Sequence, residues 1–247
     1  CGGDGIPPGE LLDLLTHLVD KSLVVVEERG GEARCRMLET IRQYAAERLA
    51  AGGEAEVVGR RHAAYYLGIA EAAEPELQGS RQAVVMDRLE EEHDNLRAAL
   101  RWLVAHREAA LAARLGGAIW RFWQTRGYLG EGRQWLREVL AVSAPSGDAE
   151  AGPDELRAAR GKALQGAGVL AWGQGEYDRA AELFEEALAL FEALENDDGV
   201  AALRNNLGVI ALHRGDYGRA TELFEASRAL RRQQRHTTGI GTTLNNL

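Results

Sequence analysis

The chain has 247 residues, 45% of them apolar and 27% charged, enough material for one large domain or two ordinary ones with a packed core. Its formal net charge of −9 weighs against a nucleic-acid footprint, because affinity for a phosphate backbone comes chiefly from a basic surface that releases counterions. Two cysteines, Cys1 and Cys35, exclude a disulfide framework or a four-thiolate zinc site, and no apolar run approaches the roughly 18 residues of a membrane helix.

The first residues lack the basic-then-apolar order of a signal peptide, so the expected compartment is a reducing cytoplasm with no membrane partner. An opening Cys-Gly-Gly without methionine reads as a piece of a longer protein.

Taken in chain order, residues 11–19 place Leu11, Leu14, Leu15, Leu18 and Val19 on one stripe of an amphipathic helix. SLVVVEE (22–28) is rich in β-branched residues, RGGE is a turn, and ARCRM (33–37) can return as the second strand of a short hairpin. Residues 38–49 are helical again, with Gly52 and Gly53 where a left-handed cap is expected. No further strand is expected beyond them. Residues 58–73 carry Tyr65, Tyr66 and Ile69 on one face and stop short of Pro75. Residues 81–106 have Val85, Leu89, Leu96, Leu100 and Leu103 as a spine, with EEEHDN expected to bend or split the helix. Two more helices follow at 108–126 and 130–142, then a flexible insert, SAPSGDAEAGP, at 143–153.

GEYDRAAELFEEALALFE starts at Gly175 and GDYGRATELFEASRALRR at Gly215. Gly175 pairs with Gly215, Tyr177 with Tyr217, Ala180 with Ala220 and Phe184 with Phe224, all 40 positions apart. Asn205, Asn206 and Leu207 recur as Asn245, Asn246 and Leu247, so another copy begins there. A period of this size marks a solenoid of stacked supersecondary units.

These residues resemble the tetratricopeptide repeat: a small residue in helix A (Gly168, Gly208), a glycine turn, an aromatic opening helix B, then Ala and Phe. The resemblance implies a mostly α fold, a right-handed α-solenoid whose A helices line a concave groove. It also puts Phe184 and Phe224 in the gap between helix pairs. The family period is about 34, so each unit here has longer helices. A degenerate earlier copy shows in Trp123, Gly127, Trp135 and Leu140, which echo Trp172, Gly175, Leu183 and Leu188. The expectation is three helix pairs plus the start of another.

The front half, from LLDLLTHLVDKSLVVVEERGGEARCRMLETIRQYAAERL through RRHAAYYLGIAEAAEPELQG to RLEEEHDNLRAALRWL, is similar to the segment between nucleotide-binding core and repeats in STAND-class, NB-ARC-like ATPases. That resemblance implies a partial winged-helix unit with a short β-hairpin over 1–53, a helical linker over 54–107 and repeats over 108–247. It also implies a partner, the upstream nucleotide-binding domain of the same parent chain. A Met-His-Asp motif in that family senses the nucleotide phosphate; the matching positions here are Met37, Leu38 and Glu39, without the imidazole. The phosphate-binding loop GxxxxGK[ST] is also absent, so ATP or ADP is expected only in an upstream domain and no cofactor in this chain.

Repeat phase places Asn205 and Asn245 on the groove face together with Gln165, Val169, Trp172, Val209 and His213, with Asn206 and Asn246 at its edge. An amide offers both donor and acceptor and suits the backbone of an extended peptide. Related asparagines do this in kinesin light chains and in bacterial peptide-sensing members of the family the chain resembles. The same amides could instead bond within or between neighbouring helices.

His17, His62, His93, His106, His213 and His236 show no metal-ligand spacing and are expected to be solvated or packed. Trp120, Phe122, Trp123 and Trp135 read as core. The basic run RALRRQQRH (228–236) is a solvated face or a contact for an acidic partner. No GxSxG or HExxH motif is present. The sequence therefore points to a non-catalytic regulatory (sensor) module whose repeat groove takes a peptide, protein or small molecule. A passive interaction scaffold is one alternative. DNA binding through the winged helix, with Arg29, Arg34 and Arg36 on phosphates, is another.

Overall fold

The computed structural model describes residues 8–29, 32–144 and 153–233. They fall into two compact units, Cys1–Tyr65 and Tyr66–Leu247.

The first unit holds α1 (Pro8–Asp20), β1 (Val25–Arg29), β2 (Glu32–Arg36), α2 (Glu39–Ala51) and the start of α3 (Ala55–Ala73). α1 opens on a proline, whose missing N–H costs nothing in a first turn. It closes through Ser22 at φ 56°, where the Ser22 N–H donates to the Val19 carbonyl and the Leu23 N–H to that of Leu18. The strands pair antiparallel from Val25 opposite Arg36 to Arg29 opposite Glu32. Of the two glycines expected to cap α2, Gly53 is left-handed at φ 74° and Gly52 stays right-handed. This unit buries little: α2 has no buried residue, and Leu12, Leu14, Val25, Val26, Leu38 and Tyr44 are exposed.

The second unit continues with a 3₁₀ turn (Glu74–Gln78) after Pro75 begins to interrupt the helix, then α4 (Gln82–Glu91) and α5 (His93–Ala105). The EEEHDN cluster splits these two helices at Glu92. α6 (Ala109–Arg126), α7 (Leu129–Val142), α8 (Asp154–Gly173), α9 (Tyr177–Ala193), α10 (Asp197–His213) and α11 (Tyr217–Gln233) follow. Among the described residues there is no strand besides β1 and β2. Residues 145–152 of the expected insert lie outside the described residues.

The last six helices are three antiparallel hairpins of a tetratricopeptide-like solenoid, in which α6, α8 and α10 are the A helices and α7, α9 and α11 the B helices. Each A-to-B turn needs a left-handed residue, and each has a glycine: Gly127 at φ 81°, Gly175 at 81° and Gly215 at 77°. The turn hydrogen bonds repeat with the sequence. The Gly175 N–H donates to Trp172 and that of Glu176 to Ala171; the Gly215 N–H donates to Leu212 and that of Asp216 to Ala211. The return into α10 is capped by Asn196, whose Oδ1 accepts from the Gly199 N–H at 3.0 Å.

The phenylalanines differ from expectation in one respect. Phe184 closes on Gly168 and Phe224 on Gly208, each within its own hairpin, because the missing side chain of the A-helix glycine leaves room for the ring. Phe191 touches two hairpins, against Gly161 of α8 and Gly199 of α10. In the first hairpin Trp120, Phe122 and Trp123 are buried, and Trp120 lies against Gly166 of α8. Trp135 is half-buried. The echo between Trp123 and Trp172 is off by one: four residues before their turn glycines stand Trp123 and Ala171, so Trp123 is 1% exposed and Trp172 is 36% exposed.

Candidate functional site

Gln165, Val169 and Trp172 recur at i, i+4 and i+7 and share one stripe of α8, joined by Lys162. Gln165 and Val169 are half-buried, whereas Lys162 and Trp172 are exposed. On α10, Asn206 and Val209 are half-buried and His213 is exposed, but Asn205 is buried at 8% exposure and engaged in an interaction of its own. Val209 also leans on the core of Ala211, Ala220, Leu223 and Phe224. Asn245, Asn246 and His236 lie outside the described residues.

The candidates that meet through their rings are Trp172 and His213, with centroids 6.1 Å apart in an edge arrangement. Tyr177, which the sequence marked only as a repeat position, stacks on His213 at 5.1 Å and completes a three-ring cluster linking α8, α9 and α10. Tyr217 has the same turn hydrogen bonds before it but is 69% exposed against 37% for Tyr177.

A second feature of the A-helix face is the elbow formed by the end of α3 and the 3₁₀ turn. The Arg114 guanidinium donates to both carboxylate oxygens of Glu71 at 2.8 and 2.9 Å, and Lys162 Nζ to both of Glu74 at 2.9 and 3.0 Å. Leu77 of the 3₁₀ turn is 1% exposed. Arg121 lies over the Trp120 ring at 4.2 Å, and Gln78 accepts from its guanidinium when the amide oxygen is turned toward it. Burial lowers the Arg121 pKa, against the opposing pull of the Glu74 charge. The elbow therefore grips α6 and, through Lys162, the same stripe of α8 that carries Gln165 and Val169.

Sequence reasoning missed a further cluster, because Glu131 lies 38 residues from His93 and 34 from Arg97. His93, buried at the start of α5, has Nε2 3.0 Å from Glu131 Oε1 on α7, and Arg97 Nε donates to the same oxygen at 2.7 Å. His93 packs on Phe122 at 5.0 Å and Tyr128 at 4.6 Å, and the Tyr128 hydroxyl donates to Glu90. Burial pushes the Glu131 carboxyl up, but the Arg97 hydrogen bonds and the charges of His93 and Arg97 outweigh it and hold the carboxyl below its ordinary value. The cluster fastens α5 to α7.

In the first unit, Glu39 accepts from Arg42 at 2.8 and 2.6 Å and from Gln43 at 2.9 Å, which lowers its pKa to about 2. Leu38 is 59% exposed, at the position where the resembled motif has histidine. Arg36 is engaged with Glu27 at 3.9 Å. No helix among the described residues is long and apolar enough to cross a membrane.

The chain is 39% identical over 140 residues to a Mycobacterium tuberculosis H37Rv protein whose name proposes an HTH-type transcriptional regulator, and equally to its counterpart in Mycobacterium bovis. The match covers 57% of this chain and 16% of that relative, so the chain spans a small part of the curated proteins it matches. A shorter match, 45% identical over 53 residues, reaches an uncharacterized protein of the same tuberculosis strain, covering 22% of this chain and 14% of the relative. Among solved structures, BtubC of P. vanneervenii superposes with a TM-score of 0.54 at 19% identity, covering 76% of this chain and 81% of BtubC, which is a likeness of fold. Residues 159–233, from within α8 to the end of α11, match the tetratricopeptide repeat family.

Proposed function

We propose that the chain is the ligand- or partner-binding regulatory module of a STAND-class signal-transduction ATPase, a bacterial cytoplasmic transcriptional regulator. Residues 1–53 are then a partial winged-helix unit, 54–107 a linker and 108–247 the sensor array. The array takes a peptide, protein or small molecule on its A-helix face, through Gln165, Val169, Trp172, Asn206, Val209 and His213, and repeat phase adds Asn205, Asn245 and Asn246 as candidates. ATP or ADP belongs to an upstream domain of the parent chain, and this module performs no catalysis.

The observation that carries the reading is the coincidence of two features on one face: the ring cluster of Trp172, His213 and Tyr177, and the elbow salt-bridged to Lys162 of the same helical stripe. A ligand on that stripe would compete with or reinforce the elbow, which is the differential contact that coupling requires. The exposed Leu12, Leu14, Val26 and Leu38 fit a surface that the upstream domain covers. Similarity to a proposed transcriptional regulator supports the setting.

The test is nucleotide exchange on the full-length parent with and without the repeat array. A change on removing the array is expected. Identical exchange would reduce the array to a passive scaffold and contradict the reading.

A further inference from the structure

Ala167, Ala171 and Gln174 lie about half a turn around α8 from Gln165, Val169 and Trp172. They border a cleft of about 570 Å³ between the B helices α7 and α9, within the size range of ligand sites. Its floor includes Ala167, Ala171 and Leu183, its rim carries Arg133, Arg137 and Arg179, and no carboxylate lines it.

A smaller cleft recurs one repeat later, where Ala211, Arg219 and Leu223 stand 40 residues after Ala171, Arg179 and Leu183. Its α9 wall presents Ala181 and Glu185, at the places that Arg133 and Arg137 hold relative to the preceding turn glycine. The repeat framework therefore accounts for Arg179 but not for the two arginines of α7.

These three cations are not equally occupied. Arg133 is bidentate to Glu176 at 2.6 and 2.7 Å. Arg179 pairs with Glu182 of its own helix, an exposed pair that water and other carboxylates can replace at little cost. Arg137 is exposed and makes no ion pair or hydrogen bond among the described residues.

We infer that this cleft binds an acidic peptide segment of a partner protein, its carboxylates on Arg137 and Arg179 and an aliphatic side chain on the Ala167, Ala171 and Leu183 floor. A guanidinium fork matches a carboxylate in plane, and the apolar floor favours a peptide over a bare anion. The site is independent of the A-helix face.

Fluorescence anisotropy of the chain with a labelled peptide alternating glutamate and leucine, and with its glutamine counterpart, tests the inference. The acidic peptide is expected to bind and the glutamine peptide not. Affinity is expected to fall about tenfold with Arg137→Glu, less with Arg137→Gln, and steeply between about 0.05 and about 0.5 M salt. Val169→Glu, on the A-helix face, is expected to leave it unchanged, and circular dichroism checks that each variant folds. No binding, equal binding of the glutamine peptide, or a loss caused by Val169→Glu but not by Arg137→Glu would overturn the site. Displacement by free glutamate at comparable concentration would reassign the cleft to a small carboxylate and overturn the peptide. None of these results bears on nucleotide exchange in the parent.

Discussion

Gly208 and Phe224 are locked together: a methyl carbon on Gly208 would stand 2.6 Å from the Cε1 of a ring that is itself 2% exposed. The ring has no room to retreat, so Gly208→Ala is expected to cost about 1–3 kcal/mol of overpacking, more than the ~1 kcal/mol that alanine gains in a helix. Gly68 in α3 has nothing within 4 Å of the same position, and Gly68→Ala should stabilise by up to ~1 kcal/mol. Chemical denaturation of the two variants decides it; equal signs would contradict the packing.

The turn glycines make a second prediction. Gly175 and Gly215 meet no neighbour but sit at φ 81° and 77°, so alanine there costs backbone strain of about 1–2 kcal/mol, similar at both sites. Thermal unfolding of the two single variants measures this. A loss at one site only would mean that the turns are not equivalent.

Glu131 links stability to pH. Its carboxyl is held below the ordinary value in the fold, so the stabilisation is fully present above the unfolded pKa of about 4 and is lost as pH falls through the lower folded value. Glu131→Gln keeps the shape and removes the charge, leaving Arg97 and His93 without their anion at a cost of about 1–3 kcal/mol at neutral pH. The variant's stability should also fall less steeply in acid. An unchanged pH profile in urea titrations would remove Glu131 as the cause.

Lys162→Glu should release the elbow while costing less than about 1 kcal/mol, because the pair it breaks is partly exposed. Amide hydrogen exchange across residues 74–78 is the readout, and it is expected to rise. Unaltered exchange would show that Glu71 and Leu77 hold the elbow without Lys162.

Much of this was legible beforehand. The 40-residue phase located α8 to α11, and glycine marked each A-to-B turn, because repeated local geometry writes repeated residues. EEEHDN signalled the break at Glu92, and the β-branched run signalled the hairpin. Of the candidate residues, Trp172 and His213 do meet, yet Tyr177, which shares the hairpin of Trp172, joins them by stacking on His213 of the next hairpin, a contact that periodicity does not reveal. The contact of Phe191 with Gly161, the grip of Glu74 on Lys162 and the pairing of His93 with Glu131 join residues far apart in sequence and have no copy one repeat away among the described residues. Contacts without a period leave no pattern along the chain.

The most direct test of the central claim is hydrogen–deuterium exchange on the full-length parent, loaded with ADP or with a non-hydrolysable ATP analogue. If the A-helix face and the elbow report to the nucleotide switch, protection should differ between the two states in residues 74–78 and along α8. Identical protection in both segments would contradict it.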